Sequence, residues 1–304
     1  MSNGQLAATH SKELVWGSSG PALRGHVLGY RGFMFGARGP GRWLVAPDGV
    51  VKVVLGFSGP LIVGDAVRPT RPVTAISLIS GVHATATVGE HAGPVHGVTV
   101  LLTPLAAYRL LAVPMAQLAC RNLDMAELFG RRLRRFVGSL AEAPTWGSRF
   151  ALLDGVLTSR LLAGPQCSPE LTWAWRQLHR TAGRTSVRRL AAGTGWSDRQ
   201  LERRFLEQVG LPPKSLAQVL RLQAALRYKA RGMTWAEVAA AAGYHDQPHF
   251  TRSFKAMIGC TPGRFPATRA EAGRGGPLDS LPDQFTGELP YGRATVVSRL
   301  CKTP

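Results

Sequence analysis

Two short clusters of polar side chains carry the chemistry that can be read from this chain. One comprises Arg199, Glu202 and Arg203, the other Gln247, His249 and Arg252. Each surrounds a pair of apolar residues four apart, Leu201 and Phe205 in the first and Phe250 and Phe254 in the second. That spacing marks the inward stripe of a helix, so the polar residues project from its other side. Arginine matches the O6/N7 edge of guanine, and glutamine the N6/N7 edge of adenine. Side chains on the first turns of a helix can reach base edges in a major groove, while the amides and cations beside them hold phosphates. This chemistry is recognition, with no bond made or broken.

The elements that would position the two clusters are written twice. Gly195-Trp196 repeats as Gly243-Tyr244 at an offset of 48, and Leu190 falls over Val238. After one extra residue the offset becomes 49, pairing Leu201 with Phe250, Arg203 with Arg252, Phe205 with Phe254, Gly210 with Gly259 and Pro213 with Pro262. Each copy reads as a short helix, a glycine turn and a longer helix, the plan of a helix-turn-helix. Ser186 caps a helix from Val187 to Ala192. Ser197 with Gln200, and Thr234 with Glu237, form capping-box patterns, and Asp246 is the expected cap of the last reading helix. Between the copies, Pro213 to Arg231 has the apolar spacing of one long helix, about 28 Å at 1.5 Å per residue. Such a strut suits two reading helices placed about one DNA turn apart.

Charge points the same way. The 304 residues carry a formal net charge of +19, with 37 Lys and Arg against 18 Asp and Glu. Between Thr181 and Arg269 the balance is 15 against 5, or +10, in the segment that holds the repeat. A basic balance fits a polyanionic partner, and arginine preference in the genome is the plainer alternative. Four widely spaced cysteines, Cys120, Cys167, Cys260 and Cys301, lack metal-type spacing and read as free thiols of a cytoplasmic chain. The start lacks a signal-peptide layout, and the lipophilic stretch Val98–Cys120, interrupted by Pro104, Arg109 and Pro114, reads as a strand and a buried helix, with no membrane partner.

The fold class expected is α+β with several domains. Residues 1–22 read as a flexible lead-in. Residues 23–163 read as a β-rich unit, a small barrel or sandwich, closed by helices; residues 168–267 as the all-α unit; and residues 270–304 as a mobile tail in which Tyr291–Leu300 has strand character. Strand runs are expected at Val27–Phe35, Leu61–Val63, Val73–Ser80, Val82–Val88 and Val95–Thr103, with Trp43–Val45 and Val50–Phe57 as a hairpin around Pro47-Asp48-Gly49. Met125–Leu140 predicts an amphipathic helix with Leu128, Phe129, Leu133, Phe136, Val137 and Leu140 on one stripe, and Trp146–Leu162 a second. These two helices also suit a dimer interface. The arginines at 131, 132, 134 and 135 read as a solvated face, with DNA contact as the alternative. Ser168 and Pro169 open the next helix, to Arg180.

Residues 169–265 resemble the DNA-binding domain of the AraC/XylS regulators. The residues that carry the resemblance are Val238-Ala239, Gly243-Tyr244, Phe250, Arg252, Phe254-Lys255, Gly259 and Thr261-Pro262. The resemblance implies two helix-turn-helix units on one long helix, with Arg199, Glu202, Arg203, Gln247, His249 and Arg252 facing the bases of double-stranded DNA. Pro248 departs from the pattern by removing a polar contact in the second reading helix, and Phe265 stands where tyrosine is more usual. The N-terminal half resembles the β-rich sensory domain of one subgroup through Pro47-Asp48-Gly49, Gly97–Val100, Leu105, Val113-Pro114 and Leu118. That implies a small-molecule effector or a homodimer and, for an activator, RNA polymerase as a partner.

Other constellations offer different chemistry. His83, Glu90, His91 and His96 suggest a metal-dependent sensor or enzyme in the barrel, but the His-x-His spacing of such sites is missing. No nucleophile-and-base motif stands out, so no enzyme and no cofactor is expected. Trp16, Phe33, Trp43 and Phe57 either line an apolar effector pocket or form plain core. A third class, a non-specific architectural DNA binder, follows from charge alone and predicts binding governed by salt.

Overall fold

Alternating apolar residues in the first hundred positions build two antiparallel sheets in the computed structural model, which describes residues 13–35, 39–68 and 71–271. The larger sheet has the order β1 (Glu13–Gly17), β2 (Val27–Phe35), β9 (Val95–Leu102), β4 (Val51–Ser58), β7 (Leu78–Ser80), β10 (Asn122–Asp124). The smaller has the order β3 (Gly41–Val45), β8 (Thr87–His91), β5 (Leu61–Asp65), β6 (Val73–Ala75). Phe33, Phe35, Val54, Leu78 and Val95 of the first meet Trp43, Val45, Leu61, Val63 and Ala75 of the second in a shared core. The other face of the large sheet, with Tyr30, Val53, Leu55, Val98 and Val100, packs on helices. β4 and β9 are therefore covered on both sides, which is why their sequences read as nearly continuous apolar runs. The β-rich region is a sandwich of two open sheets.

Four details differ from the sequence reading. The expected hairpin at Pro47-Asp48-Gly49 is a crossover between sheets, since β3 pairs with β8 while β4 pairs with β7 and β9. A buried Lys52–Asp48 ion pair at 2.6 Å holds this turn, and Asp48 also accepts from the Val50 amide. The run 73–80 divides between the sheets at Ile76 and Ser77, where the Ser77 hydroxyl accepts the Gly56 amide. The run 82–88 is mostly a loop, with β8 beginning only at Thr87. Residues 13–22, read as part of the lead-in, hold β1 and the start of a 3-10 turn at Pro21–Leu23; β1 pairs with β2 along its length. The stretch Tyr291–Leu300 lies outside the described residues.

Thr103 caps α1 (Pro104–Leu111), and a single 3-10 turn follows at Met115–Gln117. α2 (Met125–Glu142) is broken at Gly130, where φ is 51° and ψ −128°. The break resets the helical phase, so Leu128, expected on the inward stripe, is 53% exposed, whereas Leu133 and Leu140 are buried. α3 (Trp146–Ala163) buries Phe150, Leu153 and Leu161 as its period requires. It is pinned to the sheet by the Tyr30 hydroxyl donating to Asp154 at 2.7 Å and the Trp146 indole donating to Glu13 at 3.0 Å.

The helices that follow are α4 (Pro169–Arg180), α5 (Val187–Thr194), α6 (Asp198–Gln208), α7 (Pro213–Ala230), α8 (Trp235–Ala241), α9 (Gln247–Ile258) and α10 (Phe265–Glu271). α4 to α6 and the first half of α7 enclose their own core around Trp175, Leu190, Leu201, Phe205 and Leu216, to which α1 adds Leu105. Val238, Tyr244, Phe250, Phe254 and Met257 instead join an apolar cluster continuous with the sandwich. Two hydrogen bonds mark the seam. The Gln223 amide donates to the Pro47 carbonyl at 2.5 Å, and the Ala86 N–H donates to the Met257 carbonyl at 2.7 Å. No helix among the described residues is long and apolar enough to cross a membrane.

Candidate nucleic-acid interface

A reading helix needs a fixed start, an apolar face that anchors it and a polar face left free. α6 and α9 have all three. Ser197 caps α6 by accepting the Gln200 amide at 3.2 Å. The return bond expected from the Gln200 side chain does not form, so this cap is half a capping box. Leu201 and Phe205 are fully buried beneath the helix. Arg199, Glu202 and Arg203 are exposed on the opposite face. Before it, Ser186 caps α5 and Gly195 ends it at φ 71°, a left-handed conformation that suits glycine.

The second unit repeats this plan with firmer joints. Thr234 and Glu237 form a complete capping box at α8: Glu237 accepts the Thr234 amide at 2.7 Å, and Thr234 accepts the Glu237 amide at 3.3 Å. These bonds from Thr234 hold the Glu237 carboxyl below the ordinary carboxylate range. Asp246 caps α9 by accepting the His249 amide at 2.6 Å, and its second oxygen meets the His245 ring at 3.0 Å. The His249 amide is the main reason its carboxyl titrates low, with the His245 contact second. Pro248 sits in the first turn, where its missing N–H costs nothing. Phe250 and Phe254 are buried, and Gln247, His249 and Arg252 are exposed. Tyr244, the counterpart of half-buried Trp196, is buried against Phe250, and Arg221 of α7 lies over its ring at 5.5 Å.

All six residues singled out from the sequence thus lie on the solvent faces of α6 and α9, three on each. No ion pair among the described residues engages the guanidinium of Arg199, Arg203 or Arg252. α7 joins the two units with 18 residues, about 27 Å of helix. On α6 the site is wider than the sequence reading had it. Ser197, Arg199, Gln200, Glu202, Arg203 and Leu206 line one shallow depression. Leu206 carries a signal that could have found it, since it stands three residues after Arg203 and seven after Arg199, on the same helical stripe.

The other candidates disperse. His83 is buried against the Ser80 hydroxyl, His91 bonds the Gly93 carbonyl, Glu90 pairs with Arg42, and His96 lies between the rings of Phe57 and Trp146. Each has separate structural work, and no group of three metal-ligating side chains converges among the described residues. Phe33 and Trp43 are packed inside the sandwich, Trp16 stacks with Arg31, and Phe57 lies under Arg149.

Residues 190–268 match the family described as "Helix-turn-helix domain". This segment is a helix-turn-helix domain. Over 90 residues the chain is 34% identical to the HTH-type transcriptional regulator MtrA of Neisseria gonorrhoeae, a match spanning 29% of this chain and 29% of that protein. Solved chains of ToxT from Vibrio cholerae align with 78% of this chain and 97% of their own at 9% identity and a TM-score of 0.44, and with 79% and 98% at 10% identity and a TM-score of 0.43.

Proposed function

We propose that this chain is a sequence-specific DNA-binding transcription regulator that reads double-stranded DNA with two unlike helices. The observation that carries this reading is the pair α6 and α9. Both are capped, anchored by two buried apolar side chains and free on a polar face, and both hang on one rigid helix. The base-facing residues are Arg199, Glu202 and Arg203 on one, and Gln247, His249 and Arg252 on the other. Because their chemistry differs, each monomer reads an asymmetric site. The helix-turn-helix match and the shared segment with a named transcriptional regulator support the reading. The β-rich region serves as the sensing or oligomerising part, answering to a small molecule, a second copy or RNA polymerase, and its bonds to α7 and α9 give it a direct route to the second reading helix.

The test is selection of bound duplexes from a randomised library by the full-length protein. Enrichment of one asymmetric motif, long enough for contacts about 10 base pairs apart, is expected. Binding without enrichment, controlled by salt alone, would instead identify a non-specific DNA binder.

A further inference from the structure

Leu206 is out of place for a structural leucine. It is half-buried, yet it belongs neither to the apolar core that receives its neighbours Leu201 and Phe205 nor to the cluster continuous with the sandwich, and it packs against neither as a partly buried residue. It shares one depression with Arg199, Glu202 and Arg203. From Arg199 to Leu206 is about 10 Å along the helix, about three base steps at 3.4 Å each. The end of α6 that meets the β-rich region lies beyond it: a Cβ on Gly210 would stand 3.0 Å from the Met115 carbonyl. In the second copy the aligned position is the exposed Lys255, one residue after buried Phe254, just as Leu206 follows buried Phe205.

Apolar side chains in a major groove have one specific partner, the C5-methyl group of thymine. We propose that Leu206 is a specificity-determining residue that packs on a thymine methyl at the end of the α6 stripe, while Lys255 at the matching place on α9 holds a phosphate. This rests on the reading of α6 as a base-reading helix and extends it from hydrogen bonds to a methyl contact. The two copies then differ in the type of contact as well as in its sequence.

The experiment replaces each thymine of the selected site, one at a time, by deoxyuridine, which removes only the methyl group. Affinity of the full-length protein is measured for the parent, Leu206→Ala, Leu206→Lys and Lys255→Ala. For the parent, one thymine next to the bases read by Arg203 should cost about fourfold on losing its methyl, the effect of removing one buried methylene-sized group, about 0.8 kcal/mol. That cost should vanish in both Leu206 variants and persist in Lys255→Ala. Lys255→Ala should lower the slope of log affinity against log salt by about 0.9, Leu206→Lys should raise it by about as much, and Leu206→Ala should leave it unchanged. Site-selective binding by the parent with no thymine coupled to Leu206 overturns the assignment alone. Absence of site-selective binding by the parent overturns both the assignment and the reading on which it rests.

Discussion

At the scale of single residues, side chains in this protein divide cleanly between those that hold and those that reach out. Ser197 holds. Its hydroxyl satisfies an amide at the start of α6 that would otherwise have no helical partner. Ser197→Ala should lower stability by about 1 kcal/mol in chemical denaturation, and more than an alanine at exposed Glu202. His83 also holds, and it makes the fold sensitive to acid. Burial first, and then nearby Lys52, push its imidazole down to about 4, against the weaker pull of Asp48 and Asp65. The unfolded chain takes up its proton near 6.5, so between about 6.5 and 4 it binds more protons than the folded one. The stability that neutral His83 contributes is complete above about pH 6.5 and is lost as the pH falls toward 4. Replacing His83 by Gln should flatten that part of the stability-versus-pH curve, and an unchanged curve would assign the acid sensitivity elsewhere.

At the scale of elements, what could be read in advance followed from local chemistry. Caps, glycine turns and the inward stripes Leu201/Phe205 and Phe250/Phe254 specify α6 and α9 through neighbours in sequence, so both helices and their six exposed residues were legible. Pairing in the sandwich was not. Pro47-Asp48-Gly49 has the composition of a hairpin turn, yet the partner of β3 is β8, more than forty residues on. Nothing local encodes that choice, which rests on the shared core between the sheets and on the Lys52–Asp48 pair. The displaced Leu128 has a similar cause, because one left-handed glycine shifts a stripe that periodicity assumes to be continuous. The crossover offers its own test. Both side chains of the ion pair are nearly buried, at 6% and 11% exposure. Asp48→Ala would strand the Lys52 ammonium and should cost about 3–5 kcal/mol, whereas removal of the exposed Arg42–Glu90 pair should cost about 1 kcal/mol or less. Urea midpoints of the two variants measure the difference.

At the scale of the whole molecule, the two helix-turn-helix units differ in dependence. The first has a core largely its own, and the second shares its core with the sandwich. The sequence showed two copies of one unit and gave no hint of this inequality, because it arises from what docks against each copy. The Ala86 amide on the Met257 carbonyl ties the loop before β8 to the C-terminal end of α9. Hydrogen exchange should therefore show α9 opening together with the loop at 81–86, while α4 to α6 open as a separate unit. Equal and independent exchange of the two units would remove the coupling.

Both exposed polar faces are proposed to read bases, each at its own part of one asymmetric site. The most direct measurement is the affinity of the parent, Arg203→Ala and Arg252→Ala for the selected duplex and for variants with every base pair changed in turn, all at one salt concentration. Each arginine variant should lose about 1–3 kcal/mol of specific binding and become indifferent to the base at its own position only, with the two positions lying in different parts of the site. If either variant binds as tightly and as selectively as the parent, that helix does not read DNA through its arginine.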